Sequence, residues 1–304
     1  MKTISLRDIM MVFYFAALLP IAWLIPERYW NFLTGFLGKT HIKLFGDNGT
    51  HLNRLVSRIP TIKPYQIEVA FRQHNHWELL ENLREYAPWG WNPKIEISGQ
   101  HHIFEALEKN KGVILWFCPF AHADLVFKKG LFQAGFRITH LSSYTHGFSD
   151  TRFGMHVLNP VKTNIEKRYL EERCLITRNG SGQAMRRLVS RLQANEIVSI
   201  TAIHSGRRYG ERPFLGGRIR LAKGAPNLAL TTGAALLPVF IVPASNGYAI
   251  NIAPPLESQS PQIDEAEEEM ISAYIPILEQ NVLEHPGLWR GWWPPFNLWK
   301  IDPG

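Results

Sequence analysis

Apolar and polar positions along this chain follow two periods. Val113–Phe117, VILWF, is continuously apolar, opens on β-branched residues and is bounded by Gly112 and by Cys118-Pro119. That is the pattern of a buried strand. Pro119 closes it, because proline has no N–H to give to a ladder. Leu125, Val126, Leu131 and Phe132 then recur at helical spacing up to Gly135, so strand, loop and helix succeed one another with His122 and Asp124 at the junction. The same patterns predict a helix over Ile67–Ala87, with Val69, Phe71, Trp77, Leu79, Leu80 and Leu83 apolar and Pro88-Trp89-Gly90 as its stop. A strand at Ile95–Gly99, an amphipathic helix at His102–Asn110 and a strand and loop over Arg137–Tyr144 surround the central run. Beyond them come a helix over Ser181–Gln193, a buried strand at Ile197–Ile203 and a polar loop from His204 to Pro226. A helix opening on Pro226, strands at Leu236–Val242 and Tyr248–Glu257, and an acidic helix from Asp264 complete the order. Strands alternating with helices predict one α/β domain, a mixed and mostly parallel sheet flanked by helices.

The N-terminus departs from this alternation. From Ile9 to Ile25, 17 residues carry no charge, with Lys2 and Arg7 before them and Glu27-Arg28 after. Such a length is at the short end of the spanning range, so the segment can span, lie in the interface or pack as a core helix. Ile-Pro-Glu-Arg-Tyr-Trp follows where a signal peptide would carry a small-residue cleavage site. We therefore read residues 1–28 as an uncleaved membrane anchor and 29–304 as the folded α/β domain. Trp23, Tyr29 and Trp30 suit the headgroup level.

Charge distribution adds a second feature. The net charge is +7, yet residues 161–223 hold 14 Lys/Arg against 5 Asp/Glu, leaving −2 for everything else. A basic patch implies an anionic partner, although Arg186, Arg187 and Arg191 are equally read as a solvated helix face. Nucleic acid would require aromatics interleaved with the basic residues, and this segment offers only Tyr169, Tyr209 and Phe214. Two cysteines, Cys118 and Cys174, make no disulfide framework or metal spacing and fit a reducing compartment.

An imidazole and a carboxylate at the carboxyl end of a strand stand where open α/β sheets place their chemistry. The plainer reading makes His122 a helix-start residue and Asp124 a first-turn carboxylate. His146 and Asp150, four apart, form a weaker candidate pair, read as a local hydrogen bond. His74 and His76, two apart, are too far round a helix to share a metal and are read as surface or capping residues.

Taken together, the apolar N-terminal anchor, GVILWF followed by a histidine, NEIVSITAI, the basic loop, PFLGG, KGAPNLALTTGAALLPVFIV and the ending HPGLWRGWW resemble one family. It is that of the bacterial late (secondary) acyltransferases of lipid A biosynthesis, within the lysophospholipid acyltransferase-like superfamily, and the resemblance covers residues 5–295. It implies acyl transfer from acyl carrier protein or coenzyme A to a hydroxyl or amine of a lipid or glycolipid acceptor. The location it implies is the cytoplasmic face of the bacterial inner membrane, and it implies neither cofactor nor metal. On this reading His122 is the general base and Asp124 orients it. Arg207, Arg208, Arg220 and Lys223 hold phosphates, and Gly216-Gly217 and Gly224 allow close backbone approach. The family signature is a histidine followed after four residues by Asp or Glu. Phe127 occupies that position after His122, and His204 stands where a Glu-Gly-Thr-Arg-like block would begin. An inert relative that binds or assembles lipid is the alternative, to be decided by whether an acid lies within reach of His122.

Overall fold

The computed structural model describes residues 2–45, 63–177, 180–203, 208–294 and 296–300. Among the described residues three α-helices come first: α1 (Leu6–Leu24), α2 (Trp30–Phe45) and α3 (Pro64–Arg84). The α/β body continues with β1 (Ile95–Ser98), α4 (His101–Glu108), β2 (Val113–Phe117), α5 (Ala123–Gln133), β3 (Ile138–Ser143), α6 (Asn159–Lys167), β4 (Glu172–Ile176) and α7 (Gly182–Gln193). It closes with β5 (Ile197–Thr201), β6 (Tyr209–Phe214), β7 (Gly217–Ala222), α8 (Gly224–Thr232), β8 (Ala235–Ala244), β9 (Gly247–Ile252), α9 (Ile263–Glu284) and β10 (Trp299–Lys300).

The main sheet has seven strands in the order β1-β9-β8-β2-β5-β3-β4. The five from β8 to β4 run parallel, β9 returns antiparallel beside β8, and β1 pairs parallel with β9. This is the mixed, mostly parallel α/β sheet that the alternation of elements predicts. β2 is paired on both edges and buried at every residue, which explains its unbroken apolar run, since strands covered on both faces need no polar alternation. α5 rests directly on the neighbouring strands at Gly130, where a Cβ would lie 2.6 Å from Ile250 and 2.8 Å from Ile95. A missing side chain thus sets the height of α5, and with it the position of its first turn above the end of β2.

One predicted feature is corrected. The segment read as a polar loop folds over residues 209–222 as the antiparallel hairpin β6–β7, and β10 adds to its edge. The turn is Leu215-Gly216, with φ of 46° and 72°, the double positive φ that a two-residue hairpin of this twist needs. His204 to Arg207 lie outside the described residues.

The N-terminal helix, for which the sequence left open spanning, lying in the interface or packing as a core helix, is packed along the body on one side. α1 lies along α3, burying Phe15, Leu18 and Ala22 against Leu79, Leu80 and Leu83. At its start the Asp8 carboxylate accepts from the Thr151 hydroxyl at 2.8 Å. At its end the Trp23 indole donates to the Leu83 carbonyl at 3.0 Å, and the Arg84 guanidinium donates to the carbonyls of Ala22 and Ile25. Trp30 is fully buried, so of the three expected headgroup aromatics only Tyr29 is exposed. The outward face stays apolar: Leu6, Ile9, Met10, Phe13 and Leu24 of α1 and Phe32, Phe36 and Leu44 of α2 are all exposed.

Candidate active site

β2 ends at Phe117, and residues 118–122 carry the chain to α5. His122 caps that helix with φ of 68°, a left-handed backbone uncommon for any residue with a Cβ. Contacts from two other parts of the chain hold it there. Its own N–H donates to Glu78 Oε2 at 3.1 Å. The segment after α9 straps the loop from the other side: Ala121 N–H donates to the Leu288 carbonyl at 2.8 Å, and Arg290 N–H donates to the Pro119 carbonyl at 2.9 Å. Strain maintained in this way at a cluster of polar side chains points to function.

The His122 ring is 1% exposed. Its Nδ1 lies 2.9 Å from Glu81 Oε1, and its Nε2 lies 2.9 Å from His74 Nδ1. Glu81 also accepts from the Tyr248 hydroxyl. A carboxylate at Nδ1 fixes the tautomer with the proton on that nitrogen, so His122 Nε2 accepts from His74 Nδ1–H. Burial raises the pKa of Glu81, while its hydrogen bonds from His122 and Tyr248 pull the other way. Burial, and then the neighbouring His122 and His285, push His74 down to about 3, so its ring is neutral at physiological pH.

A network of buried ion pairs surrounds this chain of hydrogen bonds. Lys162 Nζ donates to Asp124 at 2.6 Å and to Glu78 at 3.0 Å, and Arg290 donates to Glu78 and lies 3.5 Å from Asp124. Burial would raise Glu78, but Arg290 and Lys162 outweigh it and hold the carboxyl down at about 2. Asp124 is held well below the carboxylate range in the same way, burial being overcome mainly by Lys162. Lys128 pairs with Glu166 at 2.6 Å and Lys129 with Glu85 at 2.8 Å. Among the described residues, Glu81 is the one buried carboxylate of this cluster without a lysine or arginine partner. Its polar partners are the His122 imidazole and the Tyr248 hydroxyl.

Asp124, His146 and Glu166 bring one ligand atom each within 4.8 Å of one another. Lys162 and Lys128 already neutralise the two carboxylates, and a cation there would face both ammonium groups. His146 itself bonds to Glu166 at 3.0 Å, while Asp150 is exposed and, among the described residues, no hydrogen bond joins it to His146.

The residues singled out from sequence therefore divide. His122 lies at the centre. Asp124 is nearby, but among the described residues no hydrogen bond joins it to His122; the acid on the ring is Glu81. Arg208 pairs with Asp264 and Glu267, Lys223 with Glu268, and Arg220 with Glu211 at 3.1 Å. These cations fasten the β6–β7 hairpin within itself and to α9. The concavity lined by Arg208, Lys223, Asp264, Glu265, Glu268 and Glu269 holds more carboxylates than cations. Gly224, exposed at the start of α8, has open space where a Cβ would stand, and Arg207 lies outside the described residues. His76 does not cap a helix but bonds to the Tyr14 hydroxyl. His74, read from sequence as a surface or capping residue, instead bonds to His122, and Glu78, Glu81 and Glu85 were not singled out, although spacings of four, three and four place all of them on one face of α3.

Residues 83–293 match the family described as bacterial lipid A biosynthesis acyltransferase. The polar stripe from His74 to Glu81 lies just before the matched segment. No curated protein matches the chain. Among solved structures it is similar to the 1-acyl-sn-glycerophosphate (LPA) acyltransferase PlsC from Thermotoga maritima, with 12% identity, 83% of this chain and 97% of that chain covered, and a TM-score of 0.36. That likeness is too slight to bear on the site.

Proposed function

The chain belongs to the bacterial lipid A biosynthesis acyltransferase family, and on that premise we propose that His122, oriented by Glu81, is the base for acyl transfer. The donor is a thioester of acyl carrier protein or coenzyme A, and the acceptor is a hydroxyl or amine of a lipid or glycolipid. A hydroxyl is a weak nucleophile at neutral pH and must lose its proton as it attacks. An imidazole whose ordinary pKa is near neutrality can take that proton. A carboxylate on the far ring nitrogen stabilises the imidazolium that forms. The observation that carries this reading is the 2.9 Å contact of Glu81 with His122 Nδ1 at the carboxyl end of β2. It supplies from α3 the acid that the family's histidine-to-acid spacing lacks in this chain. Counted back from Asp124, that spacing falls on Pro119, so the imidazole here comes from three residues later.

Membrane association belongs to the same proposal. The exposed apolar face of α1 and α2 is flanked by exposed Lys2, Arg7, Arg28, Lys39 and Lys43, the combination that seats a helix in the interface of an anionic leaflet. We place the protein on the cytoplasmic face of the inner membrane, lying in the leaflet along α1 and α2. Buried free thiols at Cys118 and Cys174 suit that reducing side.

The test is acyl transfer from both donor types to extracted bacterial lipids, read by mass spectrometry and compared with lipids from cells with and without the gene. The expected result is a new acylated lipid that His122→Ala removes. An unmutated protein that transfers nothing from either donor would favour an inert lipid-binding relative.

A further inference from the structure

We propose that His74 is the catalytic imidazole that faces the acceptor, and that the proton reaches His122 through it; this rests on the acyl-transfer reading above. His122 cannot meet a substrate directly. Its ring is 1% exposed, and both of its nitrogens are committed, Nδ1 to Glu81 and Nε2 to His74 at 2.9 Å each. Tyr248 lies against the ring, with centroids 5.2 Å apart. His74 meets it edge-on, with centroids 5.1 Å apart and planes at 88°. A hydroxyl could reach His122 Nε2 only by displacing His74.

His74 is half-buried, and among the described residues its Nε2 makes no hydrogen bond. That nitrogen is also not among the buried side-chain atoms left without a partner, so the free lone pair opens outward. His74 and Glu81 lie seven residues apart, about 10 Å along one face of α3. A single helix therefore presents both ends of the relay, with His122 held between them by its strained backbone.

In the step itself, the acceptor oxygen attacks the thioester carbonyl carbon and its O–H bond breaks. The proton goes to His74 Nε2. The proton already on His74 Nδ1 passes to His122 Nε2, leaving His74 neutral in its other tautomer and His122 an imidazolium against Glu81. When the tetrahedral adduct collapses, the C–S bond breaks, and the leaving thiolate takes the proton back along the same path as a thiol. His74 holds no charge at either end of this sequence. Its reluctance to protonate, caused by burial, is therefore no obstacle: it passes the proton on.

The proposal is tested on the full-length chain by two independent readings. Kinetically, His74→Gln should lower kcat by about 10²-fold or more, with the KM of the acceptor little changed. Added imidazole should restore part of the rate in His74→Ala, where the lost ring leaves an opening onto His122, and none in His74→Gln. Should His74→Gln keep kcat within about threefold of the parent, His122 acts on the substrate unaided and this proposal falls while acyl transfer stands. Absence of transfer by the unmutated chain removes both. The second reading uses unmutated protein and needs no activity: diethyl pyrocarbonate acylates imidazole nitrogens that are free, and peptide mapping should find His74 modified ahead of His122. His122 modified first would overturn the proposal.

Discussion

Glu81 and His122, 41 positions apart, meet through a 2.9 Å contact in which both side chains are almost wholly withdrawn from water. Neither partner has an alternative. Among the described residues, Glu81 has no lysine or arginine beside it and His122 Nδ1 faces no other acid. Glu81→Gln would keep the shape and allow the wrong tautomer. We expect it to lower kcat by about 10²–10⁴, the range for disabling positioned acid–base catalysis. The loss should not add to that of His122→Ala, because the two act as one unit. Asp124→Asn, which does not touch the ring, should cost far less in kcat. Single-turnover rates of the three variants and the Glu81/His122 double variant decide this, and equal losses for Asp124→Asn and Glu81→Gln would return the orienting role to Asp124.

Lys162 stands between Asp124 and Glu78 at 2.6 and 3.0 Å. Removing one member of a buried pair leaves charge without a partner, so Lys162→Met should destabilise by about 3–5 kcal/mol, reduced to the extent that Arg290 remains for both carboxylates. Adding Asp124→Leu should recover part of the loss. Urea unfolding measures both, and a midpoint unmoved by Lys162→Met would mean that the pair contributes nothing net.

Stability should fall on acidification well before the carboxylates titrate. The native state holds His74 down at about 3 and His76 at about 4, against 6.5 for an ordinary histidine, in both cases chiefly through burial. As the pH drops below 6.5 the unfolded chain binds protons that the folded one refuses, and unfolding is favoured. Glu78, held at about 2 against 4.5, extends the same slope at lower pH. Glu81 is raised and opposes it as a single group. Calorimetry should show a lower Tm at about pH 5 than at about pH 7, with a shallower difference in His74→Gln. A Tm constant over that interval would contradict neutral burial of these rings.

Deleting the first 28 residues would expose Leu79, Leu80 and Leu83 of α3, which α1 covers, and would confuse unfolding with release. Outward substitutions are cleaner. Phe13, Phe32 and Phe36 are 70%, 84% and 62% exposed, and each contributes about 1.5–3 kcal/mol if buried in lipid. The triple change to glutamate should leave Tm nearly unchanged and move the protein from sedimenting anionic vesicles to the supernatant. Continued sedimentation would place the membrane contact elsewhere.

Local pattern alone determined the mixed α/β class, the central strand Val113–Phe117 with its stop at Pro119, and the arrival of His122 at that strand's end. Each depends on periods of two or three to four residues and on the fixed chemistry of proline and glycine, which neighbours in sequence suffice to express. The hairpin of residues 209–222 was visible only in the alternation of Ile219 and Leu221 with arginines; its polar composition and a turn built on Leu215 concealed it. Which acid serves His122 was decided by tertiary structure. In sequence Asp124 is the near candidate, two residues away, but the turn that starts α5 points it at Lys162 and Arg290. Glu81 reaches the ring only because α3 lays a stripe of His74, Glu78, Glu81 and Glu85 against the end of the sheet. The same packing binds α1 along α3, a choice among spanning, interfacial and core helix that its apolar composition left open. A charged helix face reads as solvated until the fold supplies countercharges from 40 to more than 200 residues away, as Lys129 does for Glu85 and Arg290 for Glu78, because burial of a charge is set by its partners in space.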